Sequence, residues 1–140
     1  ELNIHLLINK NNIIMNLPED LKYTKNHEWL KVDGDTAIIG ISDYAQGELG
    51  DIVFIEIETE GEELDKEEVF GTIEAVKTVS DVFMPVSGKV EEVNPELEDS
   101  PDLVNKDPYG KGWLIKVKMS DPAEADDLMD VEKYKEFIEA

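Results

Sequence analysis

Val69-Phe70-Gly71-Thr72-Ile73-Glu74-Ala75-Val76-Lys77-Thr78-Val79-Ser80-Asp81-Val82-Phe83-Met84 is the stretch from which the fold can be read. The segments on either side of Lys77, 69–76 and 79–84, are rich in β-branched and aromatic residues and lack the 3.6-residue spacing of a helix. Each is therefore predicted as a strand. Lys77 then falls at the bend of a hairpin, on a turn that projects from two rigid strands. Such a turn exposes side chain and backbone to a partner, and lysine adds a long flexible stem ending in a modifiable amine. Taken alone, residues 74–81 fit an ordinary solvated lysine better than a modified one, because short motifs match by chance. The rest of the chain shifts that balance.

Working outward, Trp29-Leu30-Lys31-Val32, Asp33-Gly34-Asp35 and Thr36-Ala37-Ile38-Ile39-Gly40 read as a hairpin with a tight glycine turn. Ser42 is placed to cap a short helix running to Leu49 and stopped by Gly50. Residues 52–58 form a strand whose later positions alternate apolar and acidic, so one face there is wet. Gly61 to Lys66 reads as a turn, 89–93 as a strand, 94–102 as an acidic loop broken by Pro95 and Pro101, and 113–118 as a last strand. Asp121-Pro122-Ala123-Glu124 starts one helix, and Asp130 caps another with Val131, Tyr134, Phe137 and Ile138 on one face. The core is expected to include Trp29, Phe54, Ile73, Val90 and Leu114.

The 140 residues suffice for one small core and are too few for two ordinary ones. We divide them into 1–14, a non-native or upstream extension; 15–120, the β-sandwich; and 121–140, helices packed on the same domain. The first segment is apolar and asparagine-rich, unlike the acidic body. It lacks both the basic start of a signal peptide and the arginines of a mitochondrial presequence. The structural alternative for it is an added edge strand or a self-association patch, since Leu6, Leu7, Ile8, Ile13 and Ile14 would seek cover.

The formal charge is −21, from 34 acidic side chains against 13 lysines and no arginine. Such a field disfavours nucleic acid and anionic membrane surfaces, which are bound through Lys and Arg. Solubility is the simplest reason for the charge, and steering toward basic docking surfaces is the functional one. The absence of cysteine removes disulfides and thiolate metal sites and fits a reducing compartment. No run is long and apolar enough to span a membrane as a helix. Catalytic signatures such as Gly-x-Ser-x-Gly or His-Glu-x-x-His are missing, and His5 and His27 are the only imidazoles. Abundant carboxylates such as Glu56, Glu58, Glu62 and Glu63 read as a solvated face. We expect neither enzymatic activity of the isolated chain nor a metal site.

Glu74-Ala75-Val76-Lys77 followed by Ser80-Asp81 resembles the lipoylation site of the glycine cleavage system H proteins. Tyr23-Thr24-Lys25-Asn26-His27-Glu28-Trp29, Gly40 to Gln46 with Leu49-Gly50-Asp51, Pro85 to Val90 with Val93-Asn94, and Leu103 to Pro108 running to Leu114 resemble further blocks of that family in the same order. Together they cover roughly residues 21 to 140, and ordered blocks are far more specific than one lysine in a turn. The resemblance implies a mainly β fold, the barrel-sandwich hybrid or hammerhead of lipoyl and biotinyl domains, with short C-terminal α-helices.

It also implies lipoate in amide linkage to Lys77, loaded by a lipoate ligase or lipoyl transferase. A pyridoxal-phosphate glycine decarboxylase would attach an aminomethyl group to the arm. A tetrahydrofolate-dependent aminomethyltransferase would remove the one-carbon unit, and a flavin dihydrolipoamide dehydrogenase would reoxidise the dithiol. Family positions that cradle the folded-back arm correspond here to Glu28, Ile41, Glu48 and Asp81. Glu28 and Asp81 would pair with a protonated amine, and Ile41 would pack on hydrocarbon. Glu48 and Tyr44 depart from the histidines frequent at those positions, which puts the polar details of the cleft in doubt. A cytoplasmic (or, in a eukaryote, mitochondrial-matrix) monomer is expected.

Three other readings share parts of this pattern. A biotin carrier has its lysine between methionines, where this chain has Val76 and Thr78. A lipoyl domain of a 2-oxoacid dehydrogenase usually has Asp before the lysine and lacks the His27-Glu28-Trp29 segment. An H-like protein donating lipoate to other enzymes has the same features as the carrier. An acidic binding module with a bare Lys77 stands outside this class.

Overall fold

The computed structural model describes residues 4–8 and 14–139. Eleven strands, three α-helices and two 3-10 turns follow one another in it. Strand β1 (Ile4–Ile8) pairs antiparallel with β2 (Ile14–Pro18), so part of the amino-terminal segment forms an added strand pair, and the expected boundary at residue 15 falls inside β2. The main body is two sheets. One has six strands, in the order β3 (Lys22–Tyr23), β4 (Glu28–Asp33), β5 (Thr36–Ile41), β11 (Ile115–Met119), β10 (Gly88–Val93) and β7 (Glu63–Leu64). The other has three, in the order β6 (Ile52–Glu56), β8 (Val69–Ala75) and β9 (Val79–Phe83).

The inner faces of the two sheets share one apolar core: Leu30, Ile39 and Val117 from the larger meet Ile52, Phe70, Ile73 and Val82 from the smaller. A mainly β sandwich results, as expected. A second cluster lies where the C-terminal helix α3 (Val131–Glu139) joins Leu17, Leu21, Tyr23 and Trp29. Tyr23 and Tyr134 stack there with centroids 4.5 Å apart and rings nearly parallel. Burying such rings contributes area and adds roughly 0.5–1.5 kcal/mol of stacking.

Local chemistry explains most element ends. The β4–β5 turn places Gly34 at φ +66, in the left-handed region that favours glycine. Ser42 caps α1 (Asp43–Leu49) by accepting from the Ala45 amide at 3.2 Å, and Gly50 closes it by donating to the Gln46 carbonyl. Asp130 accepts from the Lys133 amide at the start of α3. Asp121 opens a 3-10 turn, Pro122–Asp127, where a helix was expected.

Four expectations are corrected. Phe54 is not core: it is 51% exposed. A β-bulge between Ile52 and Phe54 inserts one residue, so the in–out alternation changes phase and Val53 and Phe54 both reach solvent. The turn at 61–66 contains β7, which pairs with Gly88 and Lys89. Residues 94–102 include a 3-10 turn, Pro95–Leu97, capped by Asn94, and the chain then forms the short helix α2 (Leu103–Lys106). The last strand starts at Ile115 rather than Trp113.

Trp29, 1% exposed, donates its indole N–H to the Pro108 carbonyl at 3.0 Å and lies flat over Gly40. A Cβ on Gly40 would stand 2.6 Å from the indole nitrogen. Alanine normally favours a strand over glycine, yet Gly40→Ala should lower stability by about 1–3 kcal/mol through overpacking. Denaturant unfolding measures it, and an unchanged or raised midpoint would contradict this packing.

Candidate functional site

The β8–β9 hairpin turns at Val76 and Lys77, both exposed. The Ala75 amide donates across the turn to the Thr78 carbonyl at 2.8 Å, and the Val76 amide donates sideways to the Asp51 carbonyl at 3.0 Å. The lysine base is thus anchored on two sides while its side chain is free to extend. Its stem lies over Gly50, where a Cβ would approach Lys77 Cε at 3.2 Å. Gly50 also sits at φ +78, so a side chain there is disfavoured by both conformation and space.

Asn105 of α2 fixes this corner. Its Nδ2 donates to the Gly50 carbonyl at 2.9 Å and to Gln46 Oε1 at 3.0 Å, and its Oδ1 accepts from the Ile52 amide at 2.9 Å. The end of α1 and the start of β6 are therefore held together through one amide side chain, and the Asp51 carbonyl between them carries the link on to the tip of the lysine hairpin.

Beside the hairpin, α1 and β9 enclose an open cavity of about 270 Å³. Ile41, Leu49, Ile73 and Val82 give it apolar walls, and Glu48, Asp81, His27 and Tyr44 give it polar ones. The cavity brings together three of the four expected cleft residues, Ile41, Glu48 and Asp81. Glu28 is not among its lining residues. Its side chain is 1% exposed and turned into the protein, where Oε1 accepts from the Thr24 hydroxyl at 2.6 Å and Oε2 from the Phe83 amide at 3.1 Å. Glu28 therefore ties the turn at 24–28 to the end of β9.

Burial pushes the Glu28 carboxyl up to about 7, against the opposing bonds from Thr24 and Phe83 and with Glu67 adding repulsion. Burial also lowers the His27 pKa, while Glu48 pulls it the other way. Tyr44 is raised by burial and by the nearby Glu48 carboxylate.

His27 is the cavity residue that sequence reasoning left without a role. It sits at φ 69, unusual for a side-chain-bearing residue, and its Nδ1 lies 2.9 Å from the Tyr134 hydroxyl, 107 positions away. The available signal was the rarity of histidine in the chain. Neither the backbone conformation nor the distant partner is visible in sequence. Asn105 was legible only as part of the Leu103–Pro108 block.

A two-sheet β-sandwich presenting one lysine on a braced hairpin turn, next to a cavity with apolar walls and an acidic rim, defines the lipoyl and biotinyl class of domain. The sequence profile of the glycine cleavage H-protein family matches residues 21–140. A glycine cleavage system H protein from Bacteroides fragilis is 60% identical over 126 residues, covering 90% of this chain and all of the relative. Its counterpart from Staphylococcus carnosus is 56% identical over 124 residues, 89% of this chain and 98% of the relative. The crystal structure of a glycine cleavage system H protein from Mycobacterium marinum superposes with a TM-score of 0.77 at 37% identity, covering 84% of this chain and 95% of the other. The chain belongs to the glycine cleavage H-protein family.

The buried carboxyl has a thermodynamic consequence. Because its folded-state pKa of about 7 stands above the ordinary 4.5, Glu28 binds its proton more tightly folded than unfolded. Its contribution is fully present below pH 4.5 and is lost as pH rises through about 7. Glu28→Gln should remove about 3 kcal/mol of the stability lost over that interval. Urea unfolding at a series of pH values measures it; parallel profiles for the two proteins would assign the titration elsewhere.

Proposed function

We propose that this chain is the lipoyl-bearing carrier of glycine cleavage, with lipoate in amide linkage to Lys77. The observation that carries the reading is the placement of an exposed lysine on a braced turn, its stem over Gly50, next to the cavity between α1 and β9. The residues fit such an arm. Glycine at position 50 leaves room for the lysine stem, and the cavity combines aliphatic walls with carboxylates. When attached, lipoate supplies a tethered, redox-active disulfide that takes up a one-carbon amine unit. Ile41, Leu49, Ile73 and Val82 would pack against hydrocarbon and exclude water. Asp81 and Glu48 would hold a protonated amine, and protonation withdraws the lone pair that expels a thiolate.

The outward face of the hairpin sheet supports docking. Phe54, Glu74 and Val79 lie side by side across β6, β8 and β9, and Glu56, Thr72 and Asp81 form the next row. A row with Glu74 between two exposed apolar side chains, beside a row carrying Glu56 and Asp81, suits a partner surface that offers basic groups among apolar ones. The partners are the pyridoxal-phosphate glycine decarboxylase, the tetrahydrofolate-dependent aminomethyltransferase, the FAD-containing dihydrolipoamide dehydrogenase and the lipoate-attaching enzyme, in the cytoplasm. Tethering sets the effective concentration of the arm at each of them.

Intact mass of protein produced with lipoate available should show a single lipoyl increment, and Lys77→Arg should abolish it with the fold retained. Lipoyl mass persisting in that variant would refute the assignment. In loaded protein, Asp81→Asn and Glu48→Gln should each speed spontaneous loss of the aminomethyl group several-fold. That corresponds to at most about 1 kcal/mol for an exposed charge. Reoxidation of the bare dithiol should be unaffected; equal damage to both would move these acids from the cavity function to docking.

A further inference from the structure

Ser42, Tyr134 and His27 form a chain of hydrogen bonds with a determinable direction. Ser42 is fully buried, and among the described residues its Oγ has two hydrogen-bond contacts, the Ala45 amide at 3.2 Å and the Tyr134 hydroxyl at 2.6 Å. The amide can only donate, so the serine proton has a single acceptor, Tyr134 Oη. The tyrosine proton is then left for His27 Nδ1, 2.9 Å away. The reverse order would strand a buried hydroxyl proton without an acceptor, which is the costlier arrangement. A ring whose Nδ1 accepts carries its proton on Nε2.

We propose that Ser42 and Tyr134 fix His27 as the Nε2–H tautomer, making it a hydrogen-bond donor that the cavity offers to a lone-pair-bearing atom of the arm on Lys77. The tautomer stands independently of any modification; the contact with the arm rests on Lys77 carrying lipoate. Tyr134 and Ser42 are positioning residues, acting through His27.

The surroundings hold the ring in place. Its centroid lies 4.9 Å from that of Tyr44 and 5.8 Å from those of both Tyr134 and Phe137. Its own carbonyl accepts from the Ser42 amide at 2.9 Å, so the same serine fixes the ring at one end and the backbone at the other. The titratable groups around it are Tyr44 and Glu48 of α1, Asp81 of β9 and Tyr134 of α3. Burial favours the uncharged ring and Glu48 opposes it. An uncharged N–H cannot hold an ammonium group. It suits a carbonyl oxygen or a sulfur, while the carboxylates suit the amine, so the polar groups divide the arm between donor and acceptors.

Nitrogen-15 NMR of the imidazole tests this in the unmodified protein. The Nε2–H form should exceed its alternative by more than about tenfold near neutral pH. Tyr134→Phe keeps the ring packing and removes only the hydroxyl. It should shift the Nδ1 resonance, mix the tautomers and raise the His27 pKa, since a bond donated to the neutral ring is lost. A wild-type Nδ1–H tautomer, or a Tyr134→Phe spectrum identical to wild type, overturns the relay. In lipoylated protein, confirmed by mass, a change at Nε2 that appears on attachment identifies a carbonyl acceptor, and one that tracks dithiol reduction identifies sulfur. No change at Nε2 in either state overturns the contact with the arm while leaving Lys77 as the attachment point.

Discussion

One amide side chain, that of Asn105, determines where the lysine hairpin stands. Through Gly50, Gln46 and Ile52 it joins the end of α1 to the start of β6, and the adjoining Asp51 carbonyl then braces Val76 at the hairpin tip. Two of these, the Gly50 carbonyl and the Ile52 amide, are backbone groups at an element boundary, and the third is the Gln46 side-chain amide oxygen. Leaving one such group buried and unpaired costs about 1–3 kcal/mol, so the side chain that satisfies three partners at once leaves little freedom in the corner. The hairpin is fixed at its tip, and only the lysine stem beyond it is free to move.

The large negative charge plays little part in holding the fold. Lys106–Asp102 at 2.9 Å and Lys116–Glu92 at 3.5 Å are exposed pairs, screened by solvent and of little weight in stability. The charge that matters inside is Glu28, which is accommodated by two donors and a raised pKa rather than by a cation. Cohesion comes instead from the two apolar clusters, one between the sheets and one beneath α3.

Much of this was legible in the sequence because it depends on local chemistry. The bend at Lys77, the glycine turn at Gly34, the Ser42 cap with its Gly50 stop and the Asp130 cap are each dictated by a few adjacent residues. What escaped depends on one-residue insertions or on distant partners. The bulge before Phe54 reverses the facing of two side chains without altering composition, and β7 exists only because β10 lies beside it. Glu28 was expected at the cleft by its position in a motif, but its side chain turns toward Thr24 and Phe83, and no pattern in one sequence encodes that rotation. Ile41 and Glu48 line the cavity from β5 and α1, while Asp81, in the outward row of the edge strand β9, meets it only at the rim.

The relay from Ser42 through Tyr134 to His27 also bears on the order in which the domain matures during synthesis. The hairpin bearing Lys77 is closed by contacts among residues 69–83, all near one another in sequence. Tyr134 reaches back 107 positions to His27. A nascent chain can therefore present a formed hairpin well before the polar wall of the cavity exists, and the wall is completed only when the last helix docks. In the role proposed for Lys77, attachment and sheltering would be separable in time, the first open once the hairpin has formed and the second waiting on the final helix.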